Sequence, residues 1–258
     1  EKYGEEATIL FNEAQVYLKE IVDSGIQLNK AKVGIFPANS IGDDIQIYDD
    51  KKEVIESLCM LRSQRKMKEA DSYNRCLADY IAPLASKKDD YIGAFVVTTG
   101  LGLEKLLVKY EKLDDDYALI MIKSLADRLA EAFAEYMHAK VRTELWGYNS
   151  NEDLSASELI KEKYIGIRPA PGYAACPDHS EKQKLFKLLG ADSIDVKLTE
   201  SCAMLPASSV SGWYFSHPQA KYFNVGRVEK DQVLDYASRK GYTEVETEKW
   251  LRSILNYN

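Results

Sequence analysis

The segment Tyr91-Ile-Gly-Ala-Phe-Val-Val-Thr98 decides how this chain folds, because it is the strongest strand signal in the sequence. Its apolar run is almost unbroken, which is typical of a strand buried on both faces in the interior of a sheet. Helical periodicity follows directly, over residues 103–110. We therefore expect a central strand at this segment, followed by a helix.

Other strand signals fall into an early and a late cluster, and helical periodicity occupies both ends and the middle of the chain. This order predicts an α+β fold rather than a regular βαβ alternation. Turn residues at 37–44, among them a proline, an asparagine and a glycine, predict a connection between two early strands. Further strands are predicted at 32–36, 45–48, 54–60, 210–216 and 222–225, and helices at 5–24, 114–145 and from 231 onward. The apolar pattern at 54–60 would also permit a helix.

Composition excludes several classes of protein. The chain has 258 residues, of which 45% are hydrophobic and 29% charged, as in ordinary globular proteins. Its net charge of −7 favours no nucleic-acid partner, and its apolar runs are too short to span a membrane. The chain opens on Glu1-Lys2-Tyr3 without an initiator methionine or a signal peptide, so we expect it to be part of a longer protein.

The cysteines Cys59, Cys76, Cys176 and Cys202 lie far apart in the sequence. A chain of this length does not need disulfides, so reduced thiols in the cytoplasm are expected. Cys176 and Cys202 could form a zinc set only with His179 and His217, and the spacing from Cys202 to His217 matches no usual ligand pair. We predict no metal site.

The segment Thr98-Thr-Gly-Leu-Gly102 follows the central strand and precedes a helix, which is the position of a dinucleotide phosphate loop. The third glycine of that motif is replaced by Lys105, and no acidic residue ends a second strand about 20 residues further on. A tight strand-to-helix turn is therefore the favoured interpretation.

The long predicted helix carries Lys123, Asp127 and Glu131 on one face, followed by His138. Such a row is more often a solvated ladder of ion pairs than a binding site, and we favour that interpretation from the residues alone.

The segment Ile165-Gly-Ile-Arg-Pro-Ala-Pro-Gly-Tyr173 has more specific chemistry. Its two prolines fix an extended backbone whose polar groups no helix or sheet should absorb. Gly172 permits a close backbone approach or a positive φ. Arg168 offers a planar fork for a carboxylate, and Tyr173 offers an aromatic face. These features suit an amino-acid-like or nucleoside-like ligand, although a rigid structural loop explains them equally well.

The sequence resembles, over essentially its whole length, the C-terminal activation domain of cobalamin-dependent methionine synthase. The resemblance is carried by several blocks rather than by one motif. They are Arg168-Pro-Ala-Pro-Gly-Tyr173, Ser209-Val-Ser-Gly-Trp-Tyr-Phe-Ser-His-Pro218, Leu77-Ala-Asp-Tyr80, Asp90-Tyr-Ile-Gly-Ala-Phe95, Leu125-Ala-Asp-Arg-Leu-Ala-Glu-Ala-Phe-Ala-Glu135, Phe36-Pro-Ala-Asn39 and Gly42-Asp-Asp44.

The resemblance implies a C-shaped, single α+β domain over residues 1–258, with a twisted, mainly antiparallel sheet and flanking helices. It implies that the domain binds S-adenosylmethionine in a shallow groove and presents its methyl group for reductive methylation of cob(II)alamin. The parent enzyme is a cytoplasmic methyltransferase that makes methionine from homocysteine and methyltetrahydrofolate. Cobalamin and zinc belong to other modules of that enzyme, and the domain alone is not expected to turn over.

The resemblance also implies which residues bind S-adenosylmethionine. Arg168 matches the family's arginine that binds the ligand's carboxylate. At the position of Phe223 the family also has a tyrosine, so a hydroxyl contact at this position is lost. In the family, an aspartate that binds the ligand's ammonium group lies upstream of the position of Glu1. No catalytic residue is expected. The implied binding residues are Arg168, Ala170, Gly172, Tyr173, Tyr222, Phe223 and Glu131.

The expected partners are the cobalamin module of the same chain and a flavodoxin-type reductant. We expect the reductant to dock on Arg62, Arg65, Lys66 and Lys68. An alternative function is a non-catalytic interaction module that only docks such a partner. A self-sufficient methyltransferase of the doubly wound type is disfavoured, because its acidic-x-Gly-x-Gly-x-Gly loop is absent from the sequence.

Overall fold

The computed structural model describes residues 4–26, 29–66 and 73–257. No helix in these ranges is both long and apolar enough to cross a bilayer. The prediction of one domain over residues 1–258 stays a prediction. The chain divides into two compact units, of which the first comprises Glu1–Lys32, Val96–Met137 and Ala191–Val210 and the second comprises Val33–Phe95, His138–Gly190 and Ser211–Asn258.

Helices and strands alternate irregularly along the described ranges. The helices are α1 (Gly4–Asp23), α2 (Glu104–Glu111), α3 (Asp116–Lys140), α4 (Ala156–Ile160), α5 (Glu181–Leu189), α6 (Lys230–Lys240) and α7 (Glu244–Leu251). The strands are β1 (Lys30–Ile41), β2 (Asp44–Tyr48), β3 (Val54–Cys59), β4 (Tyr91–Thr98), β5 (Lys197–Leu198), β6 (Met204–Leu205) and β7 (Ser209–Tyr214).

Five of the strands form one sheet in the order β3-β2-β1-β4-β7, while β5 and β6 form a separate antiparallel pair. β2 is antiparallel to both of its neighbours, with Ile45 opposite Ser40 on one side and opposite Leu58 on the other. β4 has a strand on each side, and every residue from 92 to 98 is buried. The predicted interior strand at Tyr91–Thr98 is confirmed, and so is the α+β class with a mainly antiparallel sheet.

A hydrophobic cluster from α1, α2 and α3 forms the core of the first unit. Ile21, Leu106 and Ile122 belong to it, and burial of each stabilises the fold by about 1.5–3 kcal/mol. The glycine-rich segment after β4 packs in the same unit, where a Cβ on Gly100 would lie 2.6 Å from the ring of Pro206. Gly102 has a φ of +73°, so the segment is the tight strand-to-helix turn that the sequence favoured.

The second unit has its own core beneath α6 and α7. Val225, Val228, Tyr236 and Leu251 are buried there together with Cys59 at the end of β3. The Tyr236 hydroxyl donates to the Cys59 carbonyl at 3.2 Å, so α6 is joined to the sheet by a hydrogen bond as well as by packing. Phe223, one of the predicted binding residues, packs against this core.

Two local predictions are wrong. The residues at 37–40 lie within β1 rather than in a connection, and only Gly42 and Asp43 form the turn to β2. Pairing with β2 begins at Ala38, so Pro37 need not donate a hydrogen bond to that strand. Residues 222–225 form no strand. The long helix does extend to Leu145, but its last turn, Val141–Leu145, is π-helical.

Candidate functional site

The loop that carries Arg168 is held as an extended segment beside the end of β7. Ile167 and Phe215 exchange two backbone hydrogen bonds of 3.0 Å, and the Trp213 N–H donates to the Pro169 carbonyl at 2.9 Å. A proline at 169 fits because its carbonyl is used and no N–H is needed. The backbone around Arg168 is therefore fixed on both sides of the arginine.

Gly172 allows the loop to turn. Its φ is +96°, a conformation that disfavours any residue with a Cβ, and a Cβ at this position would overlap the imidazole ring of His179. The turn is closed by a hydrogen bond of 2.7 Å from the Gly172 N–H to the Cys176 carbonyl. The reason for glycine predicted from the sequence is confirmed at this residue.

Loop backbone groups are more fully paired than the two prolines led us to expect. The Tyr173 N–H donates to the Ala170 carbonyl at 3.2 Å, and the Ala174 carbonyl accepts from Val225 at 2.9 Å. The expectation that no sheet would absorb this backbone is wrong for the Pro169 carbonyl, because Trp213 of β7 donates to it. Within the described ranges, these bonds leave the Ala170 N–H and the Gly172 carbonyl unused.

The Arg168 side chain is half-buried and anchored at one end of its guanidinium. Nη1 donates to the Tyr164 hydroxyl at 2.7 Å and lies 3.3 Å from Nδ1 of His138. The backbone N–H of the same residue donates to the Tyr222 hydroxyl at 3.0 Å. Main chain and side chain of Arg168 are thus both held by neighbouring side chains of the second unit.

His138 lies at the centre of this arrangement and is fully buried. Its ring stacks on Tyr214 at a centroid distance of 4.9 Å and meets the edge of Tyr164 at 5.0 Å. Burial lowers the pKa of His138 well below its usual range, and the nearby charges of Arg142 and Arg168 lower it further. The imidazole is consequently neutral at pH 7.

A buried ion pair supports the ring of Tyr164. Arg142 is fully buried and binds Glu152 through two hydrogen bonds of 2.7 and 2.6 Å. Its guanidinium lies 4.1 Å from the centroid of the Tyr164 ring, which is within cation–π distance. No local pattern singled out Tyr164, Arg142 or Glu152, because these residues meet only after the turn that follows α3 has formed.

Two tyrosines near Arg168 expose their rings. Tyr173 is 67% exposed at the turn of the loop, and Tyr222 is 42% exposed. Phe223, by contrast, is half-buried and packs against the hydrophobic core of the second unit. The assignment of all three as ligand contacts stays a prediction.

Glu131 is exposed on α3, in the part of that helix that belongs to the first unit. The predicted ladder of ion pairs on this face does not form among the described residues. Asp127 instead accepts a hydrogen bond of 2.7 Å from the Ser208 hydroxyl. A ligand contact by Glu131 stays a prediction.

The cysteines and histidines considered for zinc do not gather into a site. Within the described ranges, no group of three or more His, Cys, Asp or Glu residues is placed to hold a metal ion. All four cysteines are buried, and burial raises the pKa of the Cys176 thiol well above its usual range. Nδ1 of His179 lies 3.2 Å from the ammonium of Lys182.

An anchored arginine beside two exposed tyrosines on a fixed loop is typical of a small-molecule-binding domain. The chain matches the family described as "Vitamin B12 dependent methionine synthase, activation domain" over residues 1–241, and it belongs to that family. This family is a domain of cobalamin-dependent methionine synthase, a methyltransferase.

Among solved structures, the chain is similar to a crystal structure of the MetH reactivation domain bound to AdoHcy. The two are 50% identical in sequence, with a TM-score of 0.93, over 100% of this chain and 80% of that chain. The resemblance inferred from the sequence blocks is therefore confirmed.

Proposed function

We propose that this chain binds S-adenosylmethionine at the Arg168 loop and presents its methyl group for the reductive methylation of cob(II)alamin. The observation that carries the proposal is the anchored guanidinium of Arg168, which is half-buried on a fixed loop and held by Tyr164 and His138. The bound AdoHcy of the similar reactivation domain supports it, because AdoHcy is S-adenosylmethionine without the transferred methyl group.

The residues of the loop suit the parts of this ligand. The planar fork of Arg168 complements the ligand's carboxylate, and the unused Ala170 N–H and Gly172 carbonyl can bind its polar groups. The exposed rings of Tyr173 and Tyr222 provide apolar contact area. Phe223 and Glu131 complete the proposed set of contacts.

The ligand brings its own chemistry, because its methyl group sits on a sulfonium, which is a good leaving group. The chain's residues therefore need only bind and orient, and we propose no catalytic residue among them. Cobalamin and zinc would be held by other modules of a cytoplasmic enzyme that makes methionine from homocysteine and methyltetrahydrofolate. This domain alone should not turn over.

The proposed protein partners are the cobalamin module and a flavodoxin-type reductant. Arg62 is withdrawn from the expected docking patch, because its guanidinium binds Asp43 at 2.6 Å and Asp79 at 2.8 Å. Lys68 lies outside the described residues. Arg65 and Lys66 are exposed and stay in the proposal. Docking through them should weaken as salt rises.

Isothermal titration calorimetry tests the proposed function directly. We expect S-adenosylmethionine and S-adenosylhomocysteine to bind in one-to-one complexes, and adenosine, which lacks the amino-acid part, to bind much more weakly. A chain that binds none of the three but still captures a reduced flavodoxin would favour the pure interaction module instead.

A further inference from the structure

His138 makes a hydrogen bond that fixes which of its nitrogens carries the proton. A guanidinium can only donate, so Nδ1 of His138 must accept from Arg168 Nη1, at 3.3 Å. The proton of the neutral ring is then on Nε2, which lies 3.3 Å from the hydroxyl of Tyr148. Nε2 therefore donates to that hydroxyl.

Tyr148 continues this chain of hydrogen bonds into the backbone. Its hydroxyl lies 3.4 Å from the Ile165 carbonyl and can donate to it while accepting from His138. Burial raises the pKa of Tyr148, so the hydroxyl keeps its proton. Gly166 makes room for this arrangement, since a Cβ there would lie 2.8 Å from the Tyr148 hydroxyl oxygen. The hydrogen bonds that link Arg168, His138, Tyr148 and the Ile165 carbonyl therefore all run in one direction, with Arg168 as the first donor.

The groups around His138 keep the ring neutral and correctly oriented. Arg142 and Arg168 are the charged neighbours that act on it, and both disfavour an imidazolium. Stacking on Tyr214 and the edge contact with Tyr164 fix the plane of the ring. The acceptor presented to Arg168 is therefore uncharged and rigid.

The acceptors at this position are both neutral groups. The imidazole nitrogen of His138 and the phenol oxygen of Tyr164 orient Nη1 through hydrogen bonds of 3.3 and 2.7 Å, and neither group adds a negative charge beside the guanidinium.

We propose that His138 is a positioning residue, whose Nδ1 holds the fork of Arg168 in the orientation that selects ligands with a carboxylate. The inference rests on the proposed function, because it concerns recognition of the same ligand. It adds the residue that confers selectivity for one end of that ligand.

The test compares S-adenosylmethionine with decarboxylated S-adenosylmethionine, which differs only by the carboxylate. In His138→Leu we expect the affinity for S-adenosylmethionine to fall about tenfold, since a hydrogen bond to a charged group is lost. The affinity for the decarboxylated ligand should stay unchanged. His138→Asn keeps an acceptor near the position of Nδ1 and should restore most of the selectivity. In an Arg168→Ala background, His138→Leu should cause no further loss.

Equal weakening of both ligands, or an additional loss in the Arg168→Ala background, would show that His138 acts only on the fold. Should His138→Leu fail to fold, ¹⁵N NMR of the wild-type chain decides, because its three histidines allow assignment. Protonated Nδ1 and unprotonated Nε2 would overturn the inference without any variant. A wild-type chain that binds neither ligand would overturn the proposed function itself, whereas selective binding that His138→Leu leaves unchanged would overturn the inference alone.

Discussion

Arg168→Ala should weaken the binding of S-adenosylmethionine without unfolding the chain. Removing one partner of a well-buried, charge-assisted contact to a carboxylate costs roughly 2–5 kcal/mol of binding free energy. Arg168 is only half-buried, so we take the lower end, about 2 kcal/mol, which corresponds to a loss of affinity of about 30-fold. Arg168→Lys should recover part of the loss, because lysine has the charge without the planar fork.

Stability should change little in Arg168→Ala. The bonds that shape the loop, from Ile167 to Phe215 and from Trp213 to Pro169, are between backbone atoms and do not involve the arginine side chain. The acceptors on His138 and Tyr164 lose a donor, at a cost of about 1 kcal/mol, or about 2–4 °C in Tm.

The assay is a calorimetric titration beside a thermal melt, with Arg252→Ala as the matched control. Arg252 is exposed in the same unit, and its removal should leave affinity and Tm unchanged. Unchanged affinity in a folded Arg168→Ala chain would refute the reasoning, since the carboxylate would then bind elsewhere. A Tm lowered by much more than the expected few degrees would mean that the loop depends on the arginine for its shape.

Three other perturbations test the surroundings of the loop. Lys240→Met should destabilise the chain by about 3 kcal/mol at pH 7, because it leaves buried Asp178 without its cation, whereas exposed Lys161→Met should not. Burial alone would raise the pKa of Asp178, but Lys240 holds it below its usual range. The stabilisation is therefore present at pH 7 and lost as the pH falls below about 4. In denaturant titrations, the free energies of unfolding of Lys240→Met and wild type should therefore become more similar in acid. Gly172→Ala should lower the free energy of unfolding by about 1–3 kcal/mol in the same assay, and removing the ring of His179 should recover part of that loss. A Gly172→Ala chain as stable as wild type would contradict the inferred strain at this turn. The four buried cysteines should react with a thiol reagent only after unfolding, and rapid labelling of the native chain would show that burial does not protect them.

The strand at Tyr91–Thr98 and the turn at Gly172 were predictable because both are local. An unbroken apolar run needs burial on two faces, and a glycine beside two prolines marks an unusual backbone whatever surrounds it. The connection predicted at residues 37–40 was wrong because proline usually interrupts strands. The pairing register shows that the missing N–H of Pro37 is not required for pairing with β2.

The residues that hold Arg168 could not be predicted from local pattern. His138 lies on a helix 30 residues earlier in the chain, and Tyr222 lies 54 residues later. Nothing in the periodicity of either segment refers to the arginine. Such contacts depend on where the elements pack, which a single sequence encodes only through the whole fold.

The double anchoring of Arg168, by its main chain at Tyr222 and by its side chain at His138 and Tyr164, has a consequence for the thermodynamics and kinetics of binding. Immobilising a flexible side chain on binding costs about 0.5–1.5 kcal/mol of conformational entropy. Here that ordering takes place when the chain folds, so association should carry little of it. Binding at Arg168 should therefore follow a single concentration-dependent phase in rapid mixing, without a slower rearrangement of the arginine.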